Sequence, residues 1–344
     1  QRSSTKEMWY RLRHNTSAIV GTILFIVIAV SCFASPLYLD YEEDIIKVDA
    51  VNKLEGPSLE HLCGTDELGR DVLYRILWGG KTSILMGLIS LGIAFVMGII
   101  LGTVAAYFGK TVDMIIMRAL DVVMALPILI LMITLAAVVP PTNVNLVLII
   151  AIALIPQEVR LVRAQVLQLI DKEYIEAVRI QGGSVMRIIV KHIIPNAIGP
   201  IITTAMIDIA SAITTISTLS FMGLGIQPPD PEWGSMLSNG NEVIRDAWNV
   251  STFPGIALLL TVISLTLIGD GLGSIVGAFF GGCANTTYGE SIGCIAITGN
   301  ASVVSILTAA LGCMVLSFFT PFVVLINSIP KCVMGGACIA LYGF

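Results

Sequence analysis

Long uncharged apolar runs separated by short charged islands set the pattern of this chain. The runs cover 14–39, 82–109, 122–157, 209–229, 252–269 and 291–330. About 20 mostly apolar residues cross a bilayer as a helix. Run 122–157 is long enough for two spans and breaks at Pro140-Pro141, and run 209–229 extends further back if Asp208 is tolerated. The pattern predicts an all-α membrane protein with six spans near 17–38, 82–107, 113–138, 144–166, 197–222 and 252–272.

Composition agrees. The chain is 56% hydrophobic and 12% charged, against about 25% charged for a soluble domain. The net charge of −5 is not a partner signal, because the charges are sorted by loop. Residues 1–16 hold four basic and one acidic side chain, and 158–192 hold six and four. Residues 40–71 hold three basic and ten acidic side chains, and 230–246 hold one and four. The positive-inside rule then puts the N-terminus and 158–192 in the cytoplasm, with the other two loops outside.

The first apolar run resembles a secretion signal but exceeds the 7–15 residues of a signal core, so it is expected to be a retained span. The chain opens on Gln1, so its true start is expected to be missing or processed. The second run carries Gly87, Gly92, Gly98 and Gly102, small residues that let helices approach closely in lipid. Seven cysteines show no metal spacing and are expected to be small apolar residues of the bundle.

Three polar segments carry candidate chemistry. The first is Gly64-Thr65-Asp66-Glu67-Leu68-Gly69-Arg70-Asp71, with Arg75 and Gly79 beyond it. By its residues alone it is a surface helix capped by Asp66, after a glycine turn. The second is the amphipathic island 173–196, with Glu176, Ala177, Gly182, Gly183 and Pro195. Gly182-Gly183 permits a reversal between two short helices. Ile175, Val178, Val185, Ile188 and Ile189 supply a buried stripe, and Lys172, Arg179, Arg187 and Lys191 face outward. A helix lying on the membrane surface is the bland alternative. The third runs from Leu219 to Gly225, then Pro228-Pro229 and Pro231-Glu232-Trp233-Gly234. It predicts a helix end stopped by glycine, then a proline-stiffened loop with an interfacial tryptophan.

Taken in order, the three motifs resemble permease subunits of ATP-binding-cassette importers of the dipeptide, oligopeptide and nickel type. The resemblance covers about residues 5–272. It implies a six-span bundle in the plasma (inner) membrane with a cytoplasmic coupling-helix loop, and extra hydrophobic helices after it. In that family the 172–196 loop docks on a separate ATPase subunit, with Glu176, Ala177, Gly182, Gly183 and Pro195 as coupling residues. Gly64, Thr65, Asp66, Gly69, Arg70 and Asp71 match the family signature. The implied partners are cytoplasmic ATPase subunits, a second homologous permease, an external substrate-binding protein and the lipid bilayer, with no nucleic acid. ATP would be bound by the partner subunits, leaving this chain with no cofactor, no metal and no catalysis of its own.

The chain departs from the family pattern at Val178, where a small residue is usual, and near Ile216, where an acid is common. Asp208, inside an apolar span, is expected to pair at a subunit interface or to touch the substrate path. Gly109-Lys110-Thr111 is not a phosphate loop, because the required first glycine falls on Val104.

Three parts follow: 1–80, with the first span and outer loop; 81–272, the permease core; and 273–344. Residues 271–344 hold only two charged side chains, Glu290 and Lys331, and five cysteines. Asn285-Thr286-Thr287-Tyr288-Gly289-Glu290 resembles the substrate segment of nucleobase–cation symporters, which makes Glu290 a vestigial nucleobase site. The chain is therefore expected to be chimeric, with a join near Gly269-Asp270-Gly271-Leu272. A genuine tail with a packing role is the alternative.

Overall fold

The structure is a computed structural model that describes residues 16–279, without the side chains of 200 and 272–279. The chain divides into two units, Gln1–Ala284 and Asn285–Phe344, and only the first holds described residues. The basic N-terminal stretch, Glu290 and the five tail cysteines lie outside the description.

The described residues form α-helices, joined by turns and by one long loop over 35–71 that holds short 3-10 and π turns. The helices are α1 (Thr16–Ala34), α2 (Val72–Phe108), α3 (Lys110–Met124), α4 (Ile128–Val138), α5 (Asn143–Ile170), α6 (Glu173–Ile180), α7 (Val185–Ile188), α8 (Ile194–Phe221), α9 (Trp233–Glu242) and α10 (Asn249–Phe279). Five are long and apolar enough to cross a membrane, and the bent pair α3–α4 brings the number to as many as six. The six-span reading therefore holds.

α2 is the central post. Its 37 residues span about 55 Å at ~1.5 Å each, well beyond the ~30 Å hydrocarbon core. It begins ten residues before the expected start at 82, because Asp71 caps it by accepting the amide of Tyr74 at 3.0 Å. The glycines of α2 mark where its neighbours touch. A Cβ on Gly80 would lie 2.5 Å from the Trp233 ring, and one on Gly87 2.6 Å from Ile213. On Gly98 and Gly102 it would meet Glu158 at 2.8 Å and the Val159 carbonyl at 2.7 Å. Gly92 has open space instead, so the glycine stripe is three contacts and one gap. α1 rests on α10 in the same way, with Gly21 close to Leu267.

The third span is not one helix. α3 and α4 meet at an 80° bend. Pro127 lies at the break, where its ring and missing N–H prevent a continuous ladder. Two Arg–Asp contacts hold α3 to α5. Arg163 grips Asp113 in bidentate fashion at 2.5 and 2.6 Å, and Arg160 reaches Asp121 at 2.6 Å. α5 therefore carries its charges on the helix, past the expected end at 166. α10 likewise continues to Phe279, beyond the expected end at 272.

Candidate functional site

The island 173–196 folds as a helical hairpin. α6 ends in a Schellman closure: Gly183 N–H donates to the Val178 carbonyl at 3.0 Å, and Gly182 N–H to that of Arg179 at 3.1 Å. Gly182 has φ +78°, the left-handed region that glycine enters freely. Gly183 is confined differently, since a Cβ there would lie 2.9 Å from the Val178 carbonyl oxygen. Ser184 then caps α7 through the Arg187 amide.

One side of the hairpin is anchored. Ile175, Ile188, Ile189 and Ile193 are buried with Val162 and Val166 of α5, Ala106 of α2, and Ala197 and Ile201 of α8. Val178 is half-buried, but Val185 is 41% exposed and does not join the stripe. The other side is open. Ile180 is 80% exposed and Met186 68%, with Tyr174 and Val190 beside them. Lys172, Arg179, Arg187 and Lys191 are all exposed, as their spacing requires. Glu176, Ala177, Gly182 and Pro195 are exposed too, and Gly183 is half-buried. Glu176 makes no side-chain hydrogen bond among the described residues, so its carboxylate is free to take one from outside.

The signature segment sits at the opposite end of α2, and there the surface-helix expectation fails. Gly64, Thr65, Asp66, Gly69, Arg70 and Asp71 are all buried. Asp66 does not cap a helix. Its Oδ1 accepts the amides of Leu68 and Arg70, at 2.9 and 3.0 Å. Its Oδ2 accepts from the Arg70 guanidinium at 2.7 Å and lies 3.6 Å from Arg75 Nε. Arg75 also donates to the Ile45 carbonyl at 2.8 Å. Asp71 does the capping, and His61 Nδ1 meets its other oxygen at 2.8 Å. Gly64 and Gly69, with φ +75° and +77°, supply the tight turns. The loop thus buries its charges by pairing them, which hydropathy alone cannot register.

This outer lid is tied to the segment before α9. The Tyr41 hydroxyl donates to Asp230, and that bond, more than burial, holds the phenol up at about 12. Asn249 donates to the Cys63 carbonyl at 2.9 Å, and burial pushes the Cys63 thiol up. Trp233 is not interfacial. It is fully buried against α2, its indole N–H donating to the Ile76 carbonyl at 3.0 Å. Glu232 beside it is also fully buried, and accepts from Ser83, Ser217 and the Ser235 amide. Sequence reasoning placed this acid in a proline-stiffened loop and missed its burial and the helix it caps. A Glu three residues before Ser235, next to tryptophan, was the available signal.

Asp208 is 6% exposed within this chain's own helices. It accepts there from Gln157 Nε2 at 3.1 Å, with Glu158 beside it.

Comparison with known proteins follows the same division. The family model for the binding-protein-dependent transport system inner membrane component matches residues 94–280. The N-terminal TM domain of oligopeptide transport permease C matches residues 3–57. A separate Permease family model, that of the xanthine and uracil permeases, matches 260–344, where the tail resemblance lies. The chain is 37% identical over 274 residues to the di/tripeptide transport system permease protein DppC of Pseudomonas aeruginosa, covering 78% of this chain and 90% of that protein. It is 40% identical over 272 residues to the dipeptide transport system permease protein DppC of Escherichia coli, covering 78% and 90%. It is 38% identical over 272 residues to the glutathione transport system permease protein GsiD of Pectobacterium atrosepticum, covering 79% and 90%. With its apolar helices, hairpin and outer signature, this chain belongs to the family of inner membrane components of binding-protein-dependent transport systems.

Proposed function

We propose that this chain is one of two homologous permease subunits of an ATP-driven importer of short peptides, and that the 172–196 hairpin docks on a cytoplasmic ATPase subunit. The hairpin's asymmetry carries the reading. Its inner face is locked into the feet of α2, α5 and α8 by four buried isoleucines, while Ile180 and Met186 stand exposed beside an uncommitted Glu176. A helix-in-groove contact uses such a face. Force on the hairpin passes into three core helices, because the inner face moves with them.

In this reading ATP is bound and hydrolysed by the partner subunits, and this chain performs no catalysis. Glu176 holds the docked helix by a charge-assisted bond, Gly182 and Gly183 keep the reversal, and Pro195 sits at the start of α8. An external binding protein delivers the cargo to the lid formed by residues 40–71 and the α9 segment. Peptide cargo is supported by the names of the relatives, which are dipeptide, di/tripeptide and glutathione permeases.

The test is reconstitution of the importer in proteoliposomes, with dipeptide uptake and ATP hydrolysis measured together. Gly182→Leu is expected to abolish uptake while hydrolysis continues uncoupled. Normal uptake by that variant rejects the docking role of the hairpin. Uptake of nickel or of uracil in place of dipeptide rejects the cargo.

A further inference from the structure

One pair of acids inside the bundle has no part in the hairpin or the lid. Glu158 on α5 is 1% exposed and Asp208 on α8 is 6% exposed. Both lie on membrane-spanning helices, where an ionisable group needs a partner. The two carboxyl groups are close enough to act on each other. Asp208 Oδ1 takes one bond from Gln157 Nε2 at 3.1 Å. Asp208 Oδ2 and Glu158 Oε2 are buried with no donor among the described residues.

Among the described residues no cation pairs with either acid, and Arg118 of α3 lies against Asp121 instead. α2 closes the site at Gly98, where a Cβ would lie 2.8 Å from that of Glu158, and α2 bears no charge between Lys81 and its end at Phe108. Arg160 and Arg163, the next charges on α5, are engaged by Asp121 and Asp113 of α3. On α10 the nearest titratable group in sequence to the Ile207 contact at Gly269 is Asp270, another acid. A metal ion lacks donors here: among the described residues no cluster of three or more His, Cys, Asp or Glu could hold one.

Two ionised carboxylates in contact and out of water repel each other and leave two acceptors facing without a donor. A single proton turns one of them into a donor and satisfies both free oxygens at once. We propose that Glu158 and Asp208 form a proton-binding site, one proton held between the two carboxyl groups and tying α5 to α8. The tie lies between the helix that carries Pro156 in its interior and the helix that leaves the hairpin directly. Loss of the proton places two like charges between α5 and α8, so the joint holds only while the proton stays.

Infrared spectroscopy of the full chain in lipid nanodiscs tests this. The expected result is a protonated-carboxyl C=O band at neutral pH that is no more than one carboxyl in size and that disappears in Glu158→Gln/Asp208→Asn. Identical spectra for the wild type and the double variant overturn the proposal, since both acids are then ionised. A wild-type band twice that of each single variant also overturns it, since no proton is then shared. Should the double variant fail to fold, the two single variants carry the test against the wild type. The band must change in size or position in each single variant, and a band unchanged in both overturns the proposal.

Discussion

Glu232 Oε1 accepts a hydrogen bond from Ser83 at 3.1 Å, joining the cap of α9 to α2 across 149 positions of sequence. The same oxygen takes Ser217 of α8 at 3.1 Å, and Oε2 takes the Ser235 amide at 3.0 Å. One carboxylate thus holds three helices together. Glu232→Ala strands these donors in a dry site and is expected to cost about 2–3 kcal/mol. Glu232→Gln keeps one acceptor and should cost less. Denaturation of the purified chain in detergent, compared for the two variants, checks the order.

Trp233 fills the space that Gly80 leaves. Trp233→Ala removes a fully buried ring and its bond to Ile76, and a loss of about 3–5 kcal/mol is expected. Gly80→Ala attacks the same contact from the other side, with a Cβ 2.5 Å from both the indole and Cys32 Sγ. Its cost is set at about 1–3 kcal/mol by overpacking. If the contact is the cause, the two losses fall short of their sum in the double variant.

Asp66 is the shared anion for two buried guanidinium groups, Arg70 and Arg75. Asp66→Ala leaves both without their carboxylate, and breaking a buried pair in this way costs about 3–5 kcal/mol. Thermal melting, together with protease sensitivity of the 40–71 loop, should show the lid failing before the bundle.

At Gly182 the strain is confined to the backbone. A Cβ there meets nothing within 4 Å, but φ is +78°. Gly182→Ala should therefore cost about 1–2 kcal/mol locally, and Gly182→Asn less, because asparagine tolerates this region. Uptake by the asparagine variant is expected to exceed that of Gly182→Val.

The lid contact between Tyr41 and Asp230 gives a pH dependence whose sign is determined. The fold favours the protonated phenol, raised to about 12 chiefly by the Asp230 bond. Its contribution is complete below the ordinary phenol value of about 10 and is lost as pH rises through about 12. Tyr41 is half-exposed and Asp230 exposed, so the effect should stay below about 1 kcal/mol. Melting curves across this alkaline range should slope for the wild type and flatten for Tyr41→Phe.

Much of this architecture was legible from residue order alone. The spans, the reversal at Gly182-Gly183, the outward cations of the hairpin and the turns at Gly64 and Gly69 all follow from local rules. Lipid forces apolar runs into helices, and a left-handed turn selects glycine. Errors gathered where a polar residue was judged by itself. Arg75 marked the edge of an outer loop, yet it lies inside α2. Trp233 was expected at an interface, yet it is buried. Asp66 was expected to cap a helix, yet Asp71 does. The span 113–138 was read as continuous because Pro127 is a single residue in an apolar run.

The sequence by itself determined that this chain crosses a membrane as a helical bundle, and that residues 172–196 fold back as an amphipathic hairpin. Hydropathy and backbone conformation are properties of neighbouring residues. Only the tertiary structure decided which polar groups are buried and what neutralises them. Asp66 depends on Arg75, Glu232 on Ser83 and Ser217, and Asp208 on Gln157 and Glu158. A buried charge is tolerable only beside its partner, and most of these partners lie far away in the sequence.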